Sequence, residues 1–169
     1  LLSMDAQQLK TVQDPIKEKY RQDPESALIT LKAVSRPGEG ITCKIETGKM
    51  LAEAGLHPAT GGDGLSVCSG DMLLEALAAC AGVTLKAVAT AIDFKIQDAS
   101  IYVEGDLDFR GTLSVDKTAP VGFKDIRLHF NLQSEESPEK LATLVKLTER
   151  FCVVYQTLAK GNSIAVSYT

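Results

Sequence analysis

Along this chain the apolar residues recur at two spacings, every second residue or every third to fourth, and the spacing changes where glycine and proline gather. Period two marks residues 100–110 (SIYVEGDLDFR) and 123–132 (FKDIRLHFNL) as strands with one solvated face. Alternation in ALITLKAV (27–34) and the β-rich run at 41–46 predict two more strands, joined as a hairpin through the turn sequence SRPGEG. A last short strand is expected at 164–168.

Helical spacing takes over at 71–92, where Leu73, Leu74, Leu77, Cys80, Ala81 and Leu85 share a face, with Ser69 or Asp71 as its N-cap. Ser137 and Pro138 open another helix carrying Leu141, Leu144, Val145 and Leu147. Residues 149–158 either continue it or restart it around Cys152, and Gly161 closes it. Before the first strand, residues 5–22 are polar and helix-compatible, with Pro15 expected in the first turn of a second helical piece. Residues 57–70 (HPATGGDGLSVCSG) hold four glycines and a proline, which forbids regular helix there.

This order predicts an α+β fold with a largely antiparallel sheet, organised as an N-terminal helical extension (1–25) and one domain (26–169). The helix at 71–92 is apolar on nearly all sides and needs more cover than one sheet supplies, which points to a homodimer. At 169 residues and 44% hydrophobic content, the chain has enough material for one sizeable core. A net charge of −4 argues against a nucleic-acid partner. The longest strongly apolar stretch, 72–83, is interrupted by Glu75 and falls short of the roughly 20 residues a bilayer span requires, so no membrane segment is expected.

The opening LLSMDAQQL lacks the pattern of a secretory signal, and Cys43, Cys68, Cys80 and Cys152 stand at wide, irregular spacings. Together these predict reduced thiols in a cytoplasmic protein. With no CxxC and only His57 and His129, neither a metal site nor a cofactor is expected. Cys80 and Cys152 read locally either as small core residues or as reactive thiols, and their separation does not say whether they meet.

SGDMLLEALAACAGVTLKAVA resembles the signature helix of the OsmC/Ohr family, the osmotically inducible and organic hydroperoxide resistance proteins, and FCVVYQTLAKG resembles its second signature, in which Cys commonly opens a CPV sequence. Both occur in the family's order over roughly 26–169, and the chain is most similar to the OsmC-like branch. The resemblance implies antiparallel sheets wrapped around long central helices in an intertwined homodimer. It also implies thiol peroxidase action on organic hydroperoxides. Cys80 would be oxidised to a sulfenic acid, Cys152 would condense with it to a disulfide, and a dithiol such as dihydrolipoamide would restore both.

In the family's peroxidases an Arg lowers the thiol's pKa and is held by a Glu about ten residues before the reactive Cys. Here that position is Gly70 and the usual Pro-Glu pair is absent. Asp71 either takes the Glu's work or caps the helix, and Glu75 is the alternative carboxylate. Arg36, in the turn SRPGEG, is the first candidate cation, with Arg110, Arg127 and Arg150 behind it. Cys68 is a loop thiol or a different disulfide partner, Cys43 a packing residue on a strand, His57 a loop residue leading toward the site, and His129 solvent-facing. A competing reading keeps the fold but has the interface pocket, walled by Leu73, Leu77 and Val83, bind an apolar or acyl ligand without turnover. A third leaves both thiols inert.

Overall fold

A computed structural model describes residues 6–37, 43–45, 55–65 and 67–168. The chain order is α1 (Ala6–Gln22), β1 (Leu28–Pro37), β2 (Cys43–Ile45), α2 (Ser69–Ala91), β3 (Asp98–Asp108), α3 (Phe109–Thr112), β4 (Phe123–Gln133), α4 (Pro138–Phe151) and α5 (Val153–Lys160), with 3-10 turns at Pro24–Ala27 and Pro58–Thr60. The strands form one sheet in the order β2-β1-β3-β4. β1 and β2 are antiparallel, Ser35 opposite Ile45 and Pro37 opposite Cys43. Thr30 reaches Asp106 while Arg36 reaches Ser100, so β1 and β3 also run in opposite senses. The Gln97 amide donates to the Gln133 carbonyl (2.9 Å), setting the start of β3 against the end of β4. The α+β class and antiparallel sheet match the sequence reading.

The contacts gather into two compact units, one drawn from Leu1–Ala33, Thr47–Leu74 and Val103–Arg127, the other from Val34–Glu46, Glu75–Tyr102 and Leu128–Thr169. In the first, α1 docks on the turn after His57. The Tyr20 hydroxyl donates to the Ala59 carbonyl (2.7 Å) and the Gln13 amide to the Thr60 carbonyl (3.1 Å). Gly61 has φ of +94°, and a Cβ there would come within 2.7 Å of Val12 Cγ1, so this turn needs glycine both for its backbone and for the approach of α1. The turn is capped by His57, whose Nδ1 accepts from the Ala59 amide at 3.0 Å and whose ring stacks on Phe109 at 5.0 Å.

At the end of β3, Asp108 is 2% exposed and is gripped by Arg110, with Nη2 to Oδ2 at 2.6 Å and Nε to Oδ1 at 3.0 Å, while the Arg110 amide donates to Oδ1 at 3.1 Å. A buried carboxylate is tolerable because it is met on both oxygens by a planar cation.

The second unit buries Leu77, Ala78, Ala81, Leu85, Val88 and Ala89 of α2 together with Phe94, Ile101 and Leu144. Ser137 caps α4, accepting from the Lys140 amide at 3.4 Å, and Pro138 occupies its first turn as expected.

Several expectations are corrected. Residues 6–22 form one continuous helix with Pro15 inside it. Interior proline removes a hydrogen bond, and the docking contacts of Val12, Gln13 and Tyr20 on either side offset that loss. Ser69 and Asp71 are both within α2 rather than capping it, because the Cys68 carbonyl takes the first helical bond, from Met72. Arg36 is on β1 opposite Lys44, not in the turn, since pairing extends through Pro37. Arg110 belongs to α3, not to β3.

Residues 164–168 are not a strand. Ile164, Val166 and Tyr168 are 85%, 89% and 97% exposed, and among the described residues no strand pairs with them. Apart from these corrections, α2 runs for 23 residues and by length and composition alone is apolar enough to cross a bilayer, a test that a buried core helix also passes. The apolar stretch read from the sequence is shorter than this helix because Glu75, Thr84 and Lys86 interrupt the run without ending the helix.

Asp108→Asn keeps the side chain's shape but discards the charge Arg110 holds, and we expect it to cost roughly 2–3 kcal/mol, read as a lower urea midpoint. Hydrogen bonding from Arg110 places the Asp108 carboxyl below the ordinary carboxylate range. Its contribution is therefore complete above about pH 4 and lost as pH falls through the lower folded value, so native and variant stabilities should converge in acid.

Candidate thiol site

α4 and α5 would be one helix but for Cys152. Its φ and ψ of −72° and 108° leave the helical region, so it ends α4 and begins α5. As the C-cap of α4 it donates its amide to the Thr148 carbonyl at 2.9 Å. As the cap of α5 its Sγ accepts from the Tyr155 amide at 3.5 Å, and its carbonyl accepts from Gln156 at 2.9 Å. The side chain is fully buried, beside the equally buried Leu144 and Thr148 of the preceding turns. Of the two sequence alternatives for 149–158, restart is the observed one.

Cys80 lies midway along α2 and is half-buried. Its Sγ lies 3.9 Å from Thr84 Oγ1, one turn on, within reach of a hydrogen bond to sulfur. Burial alone pushes the Cys80 thiol up. Hydrogen bonds from the Val154 amide, the Cys152 thiol, the Thr84 hydroxyl and the Val153 amide outweigh that push and bring it below an ordinary cysteine. Cys152 goes the other way. Burial, reinforced by the neighbouring Cys80 and only partly offset by the Tyr155 and Val154 amides, pushes it up to about 11. The two sulfurs thus meet as acceptor and donor: Cys80 is the side that gives up its proton, Cys152 the side that keeps one. Neither is in a disulfide.

The other candidates are distributed around the fold. Arg36 donates to Ser100 Oγ at 3.2 Å. Arg110 is committed to Asp108 and Asp116, and Arg127 to Glu104 and Asp106. Arg150 is exposed and lies over the Phe151 ring, 5.3 Å from its centroid. Asp71 lies nine residues before Cys80, two and a half turns and so on the opposite side of α2. Burial raises its carboxyl, and His57, its electrostatic partner, tempers the rise. His57 is lowered by burial and held up in part by Asp71.

Glu75 is half-buried on α2, and Cys68 is a free thiol just before that helix. Cys43 is on β2 as expected, and His129 is exposed on β4. Sequence reasoning looked for a cation beside Cys80 and overlooked the start of α5. The only sequence signal for it was a cysteine at a possible helix restart, and the two β-branched valines after it hid that restart.

An OsmC-like protein family model matches residues 61–167. The chain belongs to the OsmC-like family. Among solved structures this OsmC-like chain is similar to an OsmC-like hydroperoxide resistance protein from Jannaschia sp. CCS1, with 17% identity and a TM-score of 0.57 over 82% of this chain and 91% of that one. At that identity the likeness is one of fold. No curated protein matches the chain. The matched region of the OsmC-like chain contains both thiols and all of α2 through α5, while α1, β1 and β2 precede it.

The two thiols should be separable by pH. Alkylation of the reduced protein between pH 7 and 8, followed by peptide mass spectrometry, is expected to modify Cys80 first, with Cys152 reacting only as pH approaches 11. Prior labelling of Cys152 would reverse the assignment of donor and acceptor.

Proposed function

We propose that this OsmC-like protein is a thiol-dependent peroxidase acting on organic hydroperoxides, with Cys80 as the nucleophile and Cys152 as the resolving thiol. One observation carries the reading. Two thiols far apart in sequence act on each other and are shifted in opposite directions, Cys80 down and Cys152 up, so one is readied to attack while the other holds a proton.

In this reading the Cys80 thiolate attacks the outer oxygen of the peroxide, an S–O bond forms, and the O–O bond breaks. The departing alkoxide takes the Cys152 proton and leaves as an alcohol. Cys152, now a thiolate, attacks the Cys80 sulfenic sulfur. The hydroxide that leaves is protonated to water, and a disulfide joins the two residues. An external dithiol, of which dihydrolipoamide is the type, restores both thiols by exchange and is itself oxidised. Atoms and electrons balance: one hydroperoxide and two thiols give one alcohol, one water and one disulfide.

The reading extends to a homodimer in a reducing cytoplasm. Supporting the dimer, α2 leaves Met72, Leu73 and Val83 more than a third exposed, and the alternating apolar residues Ile164, Val166 and Tyr168 are left uncovered. Arg36, which donates to Ser100 in the same compact unit as both thiols, is retained as this reading's candidate cation.

The test is turnover of cumene hydroperoxide with a dithiol present. The native chain should turn over and, without dithiol, stop at a Cys80 to Cys152 disulfide, two mass units lighter. Cys80→Ser should lose at least about 100-fold in rate. Cys152→Ser should still be oxidised once but form no internal disulfide. Thiols in the native chain that react no faster than free cysteine would sink the proposal.

A further inference from the structure

We infer that Gln156 is a positioning residue of the thiol site: its side chain staples the break between α4 and α5 and so holds the Cys152 sulfur in place. The inference deepens the peroxidase reading and rests on it for its meaning in the reaction, while its geometry stands separately. In a continuous helix each amide donates to the carbonyl four residues earlier, so Val153 would reach Glu149 and Tyr155 would reach Phe151. Cys152 interrupts that series, with φ and ψ of −72° and 108°. The Tyr155 amide donates instead to Cys152 Sγ at 3.5 Å, and the Glu149 carbonyl accepts instead from Gln156 Nε2 at 2.8 Å.

Gln156 is thereby bonded on both sides of the break. Its side chain reaches back seven residues to the last turn of α4, and its own amide donates to the Cys152 carbonyl at 2.9 Å. Cys152 lies between these two anchors and is tied again by its amide to the Thr148 carbonyl at 2.9 Å. The bond to Glu149 is partly buried, where water competes less well for the carbonyl than at an open helix end.

The staple therefore weighs on the choice between two backbones. With it, the broken helix gives the Glu149 carbonyl a donor. Without it, the donor that helix geometry offers this carbonyl is the Val153 amide of a continuous helix, in which the Cys152 sulfur no longer caps α5. Glutamine suits the task because it joins length to an N–H that carries no charge.

The test is the initial rate of Cys152 alkylation by iodoacetamide at about pH 9, resolved by peptide mass spectrometry in the full reduced chain with no peroxide present. Gln156→Met keeps the length of the side chain and loses the donor. It is expected to open the fully buried Cys152 to the reagent and raise the rate about fivefold. Gln156→Lys supplies a donor of sufficient reach and should return the rate to the native value. The lysine charge would by itself favour the Cys152 thiolate and speed the reaction, so a slow lysine variant reports the hydrogen bond and not the charge. A packing role for the Gln156 stem would predict native behaviour in methionine, whose stem is as long. With cumene hydroperoxide, Gln156→Met should accumulate a Cys80 sulfenic acid that dimedone traps, because the disulfide closes about fivefold more slowly.

Thermal unfolding shows whether each variant is folded. Should Gln156→Met unfold, Gln156→Asn, which keeps the amide but is one methylene short of Glu149, decides in its place and should react as described for methionine. A folded methionine variant with the native Cys152 rate, or a lysine variant as fast as the methionine one, would overturn the inference. A chain that shows the expected alkylation pattern but fails to reduce cumene hydroperoxide would leave Gln156 as the staple of the break and remove the peroxidase reading.

Discussion

The break in the backbone at Cys152 is the constraint on which the site depends. A continuous helix from Pro138 to Lys160 would place every amide on a carbonyl of its own and leave nothing for sulfur. Because Cys152 leaves the helical region, the start of α5 presents free donors, and a buried amide without a partner costs about 1–3 kcal/mol. The Tyr155 amide is met by the Cys152 sulfur, and the Val153 and Val154 amides at the start of the helix act to lower the Cys80 thiol. Thr148 fixes the break from the other side. Its carbonyl accepts the Cys152 amide, while its own hydroxyl donates to the Leu144 carbonyl at 2.8 Å within the buried face of α4.

The two thiols begin chemically equal and are made unequal by their surroundings. Cys152 has more burial acting on it and few donors, so the neutral form wins. Cys80 also pays for burial, yet four donors face it and the charged form gains. Their shared hydrogen bond sharpens the difference, since a proton on Cys152 favours charge on Cys80 and charge on Cys80 discourages ionisation of Cys152. In the proposed reaction a pair arranged this way would have its nucleophile and its proton in place before any substrate arrives.

Much of the frame was legible in the sequence because it follows from spacing. The period-two runs became β3 and β4, the first two expected strands pair antiparallel as β1 and β2, and the Leu-Ala face of 71–92 became the core of α2. What escaped depended on partners distant along the chain. Pro15 reads locally as a helix boundary, but docking of Tyr20 and Gln13 on the turn after His57 carries the helix through it. Residues 164–168 have the alternation of a strand, yet a strand needs a neighbour, and none among the described residues pairs with them. For the site, the residue types singled out Cys80 and Cys152 as candidates, but backbone amides have no letter in a sequence. A search for activating charge among side chains could therefore reach arginines and never the start of α5.

The half-burial of Cys80 sets two requirements against each other. On the proposed peroxidase reading a peroxide must reach the sulfur, so the face of α2 that carries it cannot be sealed, while the same helix is apolar enough that an open face costs solubility. Met72, Leu73 and Val83 are the open residues, and covering each with more of the same chain would also threaten access to Cys80. A second copy, as proposed above, meets both requirements if it covers Met72 and Leu73 near the start of the helix and Val83 near its middle while leaving a channel to Cys80. On that argument the apolar walls of the channel would favour organic over hydrogen peroxide, because the energy gained by burying a hydrocarbon substituent, about 0.8 kcal/mol per methylene, is unavailable to the smaller oxidant.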